Sequence, residues 1–389
     1  MDIRSFSMPT EIHLGDSALE LLPSLCGKRV LVVADPAMTQ LGFAERVCGL
    51  ARQANAATTI FDAVEPDPSQ ETCAAGVALA EEFAPDTIIG LGGGSTLDVT
   101  KTVRAACETP GITVPALVAA GFNAPPRQTG RMTCIAIPST SGTGSEVSRG
   151  AVITENTVQG PIKRVCFTGV PDAAILDPAV PATMPAHVAA DTGYDALAHA
   201  VESFASIESH RVSQALGAGA IATVLAHLPS SVQEPGNTAA RAEMHVAAAI
   251  AGATMRAGLG LCHALSHQLT PTFGLPHGRA NALLLPHVVA FNAQAAAEKY
   301  ADLASRLGLD GDNPIASLVD ALAALRAQVG IPASLQEAGV TKEQLTQKLP
   351  HMVANSAKEP NAASNPRQPT PEEIETLYWN AWEDRREEV

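Results

Sequence analysis

The sequence predicts an α/β domain with a parallel sheet over residues 1–182, followed by an all-α domain over 183–389. Three observations lead there. Short β-branched runs alternate with helix-length runs through the first half. Beyond Pro178 the runs become long, Ala/Leu-rich and helical in spacing, without a convincing strand. The chain of 389 residues is also too long for one ordinary core.

RVLVVAD (29–35) is a continuous apolar strand ending at Asp35-Pro36, a helix start with Asp as N-cap and Pro at the first helical position. A helix to about residue 53 follows, then the strand ATTIFD (57–62). EPDPSQET (65–72) is a loop that opens another helix, with Ser69 as N-cap. DTIIGLGGG (86–94) reads as strand and turn, and STLDVTKTVRAAC (95–107) as the next helix. TCIAIPST (133–140) and DAAILDP (172–178) continue the same layer, while the Pro- and Gly-rich PALVAAGFNAPPRQTG (115–130) reads as a surface loop. The domain boundary falls near residue 182, in PAVPATMP. Helices are expected over 186–205, 210–228, 237–257, 279–306, 313–329 and 342–353. The most apolar run, ALGAGAIATVLAHL (215–228), is short for a bilayer span and reads as a core helix.

Composition narrows the class. A hydrophobic share of 46% with 17% charged residues is globular, and only 4% aromatics means a core of small and aliphatic side chains. The net charge of −15 argues against nucleic acid and membrane surfaces as partners, since both need concentrated Lys and Arg. Seven scattered cysteines without a CxxC pair point to reduced thiols, not to a disulfide framework or a thiolate zinc site. MDIRSFSMPTEIHLGD shows no secretory pattern, so the expected location is the cytoplasm.

Two segments of the first half suit a nucleotide. In IIGLGGGSTLD (88–98), a strand, a glycine turn and a helix follow one another, so that backbone N–H groups and a helix N-terminus can face a pyrophosphate in a Rossmann-like manner. Gly92, Gly93 and Gly94 permit close approach, and Ser95 adds a hydroxyl. The run is not GxGxxG, and a purely structural turn is the other reading. PSTSGTGSE (138–146) places Ser139, Thr140, Ser141, Thr143 and Ser145 just after a strand, a composition that lines ribose and nicotinamide pockets and also makes ordinary loops. Asp35 suits a ribose 2′-hydroxyl, which favours NAD over NADP, and suits the N-cap equally; its two oxygens can do both.

The second half offers metal ligands. Asp195 and His199 stand at i and i+4 on one helix face, with Asp191 one turn earlier, so spacing alone leaves open which aspartate ligates. His263 and His267 repeat the i, i+4 geometry on a second helix, and His277 follows Pro276 at a loop position. His13, His187, His210, His227, His245 and His287 read as ordinary polar residues. A carboxylate with several imidazoles holds a divalent ion, and four of these five residues suffice if one position stays open for substrate.

With these residues in view, the chain resembles the iron-containing (group III) alcohol dehydrogenases nearly end to end. The resemblance is carried by Asp35, GGGSTLDVTK (92–101), PSTSGTGSEVSRGAVIT (138–154), ILDP (175–178), TGYDALAHAVESF (192–204), LCHALSHQLTPTFGLPHG (261–278) and NPRQPTPEEIETLYWNAW (365–382). It implies that Asp195, His199, His263 and His277 are the metal ligands, that His267 is a catalytic neighbour of nicotinamide and substrate, and that Asp191 lies outside the ligand set. It also implies cofactor contacts at Gly93, Gly94, Ser95, Asp98, Thr140, Thr143, Ser148 and Lys163. Ser139 and Ser141 depart from the common threonine and alanine, and Asp67 from a frequent asparagine.

The implied activity is reversible hydride transfer between a small primary alcohol and NAD, with NADP also accommodated. Three imidazoles and a carboxylate accept Fe(II), Zn(II), Mn(II) or Co(II); the resemblance implies Fe(II). His267 is the candidate for positioning substrate or passing its proton outward. A narrower alternative is an acidic aldehyde bearing a carboxylate, sulfonate or phosphonate, held by some of Arg149, Lys163, Arg164, Arg256 and Arg279; the other reading of each is an exposed charge or a cofactor-phosphate contact. Dehydroquinate-synthase-like and glycerol-dehydrogenase-like enzymes share the architecture, but the DALAH and NPR segments favour the alcohol dehydrogenase. The expected assembly is a homodimer or a higher homo-oligomer.

Overall fold

The computed structural model describes residues 3–124, 130–158, 160–309 and 311–386. The chain divides into two compact units: Ser7–Met184 form one, and the chain from Pro185 onward, joined by the N-terminal residues through Phe6, forms the other.

The first unit runs β1 (Glu11–Leu14), α1 (Leu22–Leu25), β2 (Arg29–Ala34), α2 (Pro36–Gln40), α3 (Phe43–Gln53), β3 (Ala57–Phe61), α4 (Gln70–Phe83), β4 (Thr87–Gly92), α5 (Gly94–Glu108), α6 (Val114–Ala120), β5 (Thr133–Pro138), β6 (Gly150–Thr157), β7 (Gly160–Phe167) and β8 (Ala173–Leu176). Six strands form one sheet in the order β1-β8-β5-β4-β2-β3, every neighbouring pair parallel. The alternation within β2 shows why both faces are covered. Val30, Val32 and Ala34 pack against Val47, Leu50 and Ala51 of α3, while Leu31 and Val33 share the opposite core with Cys73 of α4 and Val99 and Val103 of α5. A strand buried on both sides must be apolar where it is buried, as Val30 to Ala34 are; Arg29, at its start, is exposed.

Three strands lie outside the sequence expectation. β1 is four residues long and only half apolar; it is a strand because it completes the sheet edge on β8, Glu11 opposite Ala173. β6 and β7 form an antiparallel pair in which apolar and polar residues mix and only Ala151, Ile153 and Cys166 are fully buried, so neither run stands out as apolar. The helix expected from Pro36 breaks at Leu41–Gly42, where Gly42 takes φ 79, a conformation that glycine adopts at little cost. Part of the loop expected over 115–130 is the helix α6, capped by the Thr113 hydroxyl on the Ala116 N–H at 3.4 Å; positions 125–129 of that expectation lie outside the described residues.

The second unit is helical: α7 (Ala186–Ala205), α8 (Arg211–Gln233), α9 (Thr238–Thr254), α10 (Leu261–Phe273), α11 (His277–Asn292), α12 (Ala297–Arg306), α13 (Pro314–Gln328), α14 (Lys342–Ser356) and α15 (Pro371–Glu383). The run expected over 279–306 is two helices, α11 and α12. α8 packs on α7 and α9 with Ile221, Val224 and Leu228 buried. Gly193 of α7 makes this approach close, since a Cβ there would stand 2.2 Å from Leu228 Cδ1. Lys299 caps the end of α7, donating to the carbonyls of Ala205 at 3.0 Å and Ser206 at 2.6 Å. Asn365 pins the start of α10: its Oδ1 accepts from the Leu261 N–H at 3.1 Å and from Asn292 Nδ2 at 2.9 Å.

One core residue of the first unit carries a pH dependence. Burial pushes the Glu146 carboxyl from the ordinary 4.5 up to about 7, against the opposing pull of its own backbone N–H and of Lys101. The folded chain therefore binds a proton here that the unfolded chain has released, and stability falls as pH rises through that interval. Glu146→Gln removes the charge at every pH. Thermal unfolding should show the variant close to wild type at pH 5 and more stable at pH 8, by on the order of 2–3 kcal/mol. Equal stabilities at pH 8 would show that the ionised carboxylate carries no penalty.

Candidate active site

Three helices bring one carboxylate and three imidazoles together. Asp195 and His199 lie on α7, His263 on α10 and His277 on α11. The Asp195 Oδ1 stands 3.5 Å from His277 Nε2, 3.7 Å from His263 Nε2 and 3.9 Å from His199 Nε2. The donor atoms of Asp195, His263 and His277 all lie within 4.8 Å of one another, and the His199 ring stacks on His263 with centroids 4.7 Å apart. Four donors held roughly 2.1 Å from one ion in a tetrahedron stand about 3.4 Å apart. The observed separations are therefore those of a site that a divalent ion fits. His277, expected in a loop, is instead the first residue of α11 after Pro276, so the helix itself fixes its direction.

Burial opposes charge on Asp195, but His199, His277 and His263 outweigh it and hold the carboxyl well below its usual range. Burial likewise opposes charge on His263, and there Glu202 and Asp195 prevail, raising the imidazole to about 10. An ion taking its place on His263 Nε2 must displace that proton.

Two residues that spacing did not single out complete the arrangement. Glu202, also on α7, accepts the Cys262 N–H at 2.6 Å through Oε1 and meets His263 Nδ1 through Oε2. It fixes which ring nitrogen of His263 faces the ion, the role a carboxylate plays behind many metal-bound histidines. Asn281 lies one turn after His277; its Nδ2 donates to Asp195 Oδ1 at 2.7 Å, and its Oδ1 accepts the Cys262 thiol at 3.5 Å. Both could have been sought in the sequence, at i+3 from His199 and i+4 from His277.

Asp191 is engaged elsewhere. Arg279 Nε and Nη2 hold its two oxygens at 3.0 and 3.1 Å, a bidentate pair. His267 stacks on His277 with ring centroids 5.2 Å apart. Its Nδ1 lies 3.1 Å from Glu359 Oε1, an arrangement that leaves Nε2 for another partner.

The glycine turn lies in the other unit. Gly93 is the N-cap of α5 and offers no side chain, so the N–H groups of the first turn have no capping oxygen. A Cβ on Gly92 would stand 2.4 Å from Thr96 Oγ1 and 2.6 Å from Asp35 Oδ2, and one on Gly94 2.7 Å from Thr143 Cγ2. A Cβ on Gly93 would meet nothing closer than 3.5 Å, on Thr140. Asp35 serves both neighbours: Oδ1 caps α2 through the Met38 N–H at 2.9 Å, and Oδ2 lies 3.4 Å from Thr96 Oγ1. Ser139 N–H donates to the Gly92 carbonyl at 2.9 Å, joining the two loops.

Asp98 uses both oxygens within the protein. Oδ1 accepts Ser145 Oγ at 2.6 Å and lies 3.1 Å from Lys101 Nζ; Oδ2 accepts the Val152 N–H at 2.8 Å. It thereby holds the loop that carries Thr143 and Ser148. Among the cations considered for an acidic substrate, Lys163 pairs with Asp67, Arg164 with Glu155 and Arg279 with Asp191, while Arg149 lies over the Phe167 ring at 3.9 Å.

Residues 9–178 match the iron-containing alcohol dehydrogenase family, and residues 189–382 match its C-terminal part. The chain belongs to the iron-containing alcohol dehydrogenase family. It is 34% identical to the NADPH-dependent butanol dehydrogenase of Clostridium saccharobutylicum over 96% of each chain. The iron-containing alcohol dehydrogenase of Thermococcus thioreducens superposes with a TM-score of 0.89 at 34% identity, covering 97% of this chain and 100% of that one. The sulfoacetaldehyde reductase of Bifidobacterium kashiwanohense, solved with NAD+, gives 0.87 at 25% identity, covering 98% and 99%. Membership makes this chain an oxidoreductase of alcohols and aldehydes that uses a divalent metal and NAD(P).

Two outcomes follow from the geometry. Glu202→Gln should lower metal affinity by about ten- to a hundredfold with the fold intact, and His263→Ala should remove the metal altogether. Metal analysis of dialysed protein decides this, and full metal content in His263→Ala would refute the ligand assignment. Gly93→Ala should unfold at the wild-type temperature yet bind NADH poorly, whereas Gly92→Ala and Gly94→Ala should lose stability by about 1–3 kcal/mol. Calorimetry in parallel with NADH titration separates the two effects.

Proposed function

We propose that this enzyme interconverts a small, uncharged primary alcohol and its aldehyde, with Fe(II) held by Asp195, His199, His263 and His277 and with NAD preferred over NADP. The observation that carries the reading is the convergence of three imidazole nitrogens on the buried Asp195 oxygen. Preference for NAD rests on Asp35, whose carboxylate beside the glycine turn would oppose a 2′-phosphate. Fe(II) rests on family likeness alone.

When bound, the ion supplies a Lewis acid for the substrate oxygen, and the nicotinamide supplies the hydride acceptor or donor. The chain's own residues position and protect. Asp195 brings a buried negative charge to the three imidazoles, Glu202 keeps His263 in a single tautomer, and Asn281 keeps Asp195 from rotating. His267, held through Nδ1 by Glu359, presents Nε2 as the group that orients the substrate hydroxyl or takes up its proton.

An uncharged substrate is favoured over an acidic one because three of the five candidate cations are already paired with carboxylates of their own unit. The sulfoacetaldehyde reductase among the relatives keeps the acidic class as the alternative. The proposal also includes a homo-oligomer working in the cytoplasm, where the seven free cysteines would stay reduced.

The test is an anaerobic preparation with metal analysis, assayed with NADH and NADPH against short aldehydes, plain and acidic. One iron per chain, faster turnover with NADH and higher kcat/KM for plain aldehydes are expected. Higher kcat/KM for a carboxylate- or sulfonate-bearing aldehyde would establish the alternative. Turnover unaffected by stripping the metal would overturn the mechanism.

A further inference from the structure

Asp67 stands where three elements of the nucleotide unit meet. Its N–H donates to Ser95 Oγ, in the first turn of α5, at 3.3 Å. Its carbonyl accepts Thr154 Oγ1 of β6 at 2.9 Å, and its Oδ1 meets Lys163 Nζ of β7 at 2.6 Å. The neighbouring Pro68 carbonyl accepts the Thr154 N–H at 2.8 Å, and Thr154 pairs directly with Lys163 across the hairpin. The turn is thus fastened at the backbone, and φ of 53 at Asp67 suits Asp, Asn or Gly. The two charged side chains differ in setting: that of Lys163 is 9% exposed and that of Asp67 55%.

An uncapped helix N-terminus attracts an anion, and Asp67, bonded to Ser95 in that first turn, also holds an enclosed ammonium of the charge that suits the same anion. Its charge is already neutralised. A pyrophosphate arriving at the turn gains less from Lys163 than it would from a lone cation, and it meets the Asp67 carboxylate as a like charge.

We propose that Asp67 is a built-in counter-ion that competes with the cofactor pyrophosphate for Lys163, so that this pair sets how tightly the dinucleotide is held and how readily it leaves. The proposal rests on the reading that the glycine turn takes a nicotinamide dinucleotide. Its chemistry is a partner exchange: the ammonium turns from carboxylate to phosphate oxygen on binding and returns on release. The carboxylate, being half exposed, is re-solvated at little cost when displaced. No proton or bond changes hands.

Asp67→Asn keeps the shape, the backbone conformation and a hydrogen-bond acceptor for Lys163 while removing the charge. NADH titrated by calorimetry at low salt should bind this variant about five- to tenfold more tightly than wild type, the ratio expected for one partly screened charge at contact distance. Stopped-flow release of NADH should slow correspondingly, and the gain should shrink in roughly 0.5 M salt. Adenosine, which has no phosphate, should bind both proteins alike. Asp67→Gly, which also tolerates the positive φ, should tighten NADH in the same direction. Glu155→Gln, which removes a charge from the same hairpin, should leave the affinity unchanged. Wild-type protein that fails to bind NADH defeats the dinucleotide reading itself. Wild-type protein that binds NADH, with Asp67→Asn and Asp67→Gly binding no tighter, overturns the counter-ion role.

Discussion

Burying the Asp195 carboxylate away from water requires donors and cations to come to it, and the helical unit is arranged to meet that requirement. Four side chains from three helices converge on one of its oxygens: His199, His263, His277 and Asn281. Packing elsewhere serves this convergence. Gly278 lets α11 lie against α7, where a Cβ would stand 1.9 Å from the Asp191 carbonyl. The Asn365 amide sets where α10 begins, and Lys299 closes the far end of α7.

The nucleotide unit works by a different logic. Its anion-attracting groups are backbone N–H groups at the start of a helix, and side chains are chosen chiefly to keep out of their way. Gly92 and Gly94 are glycines because the protein itself fills the space a Cβ would need, whereas a Cβ on Gly93 would make only ordinary contact with Thr140. Polar side chains around the turn mostly brace one another. Asp98 ties the helix to the hydroxyl-rich loop and to β6, and Asp35 spans α2 and Thr96. On the proposed reading, fixed peptide dipoles would carry the recognition in one unit, and converging side chains would carry it in the other.

Local periodicity made much of this legible. The β2 run, the glycine turn and the i, i+4 pairs on α7 and α10 each depend on neighbours within one or two turns, and a sequence displays such relations directly. What stayed hidden depends on contacts between distant segments. Spacing could not choose between Asp191 and Asp195, because the choice is made by Arg279, 88 positions away, which takes both Asp191 oxygens. Glu202 sits on the same face as Asp195 and His199, yet its use is evident only once α10 brings the Cys262 N–H and the His263 ring to it. The β6–β7 hairpin escaped notice because its apolar residues follow no clean alternation and only Ala151, Ile153 and Cys166 are fully buried, so that each run passes for loop.

Glu202 deserves its place for a reason that concerns entropy as much as geometry. Its two oxygens hold the backbone of Cys262 and the ring of His263, adjacent residues, so one carboxylate orients both main chain and side chain. The orientation of the ligands in this cage is set by hydrogen bonds within the protein. An ion bound there would thus meet ligands oriented by their own neighbours, which lessens the entropy lost on binding. Such a cage discriminates only weakly among ions of similar radius, so the contents of an individual molecule would track whichever suitable metal its surroundings keep most abundant.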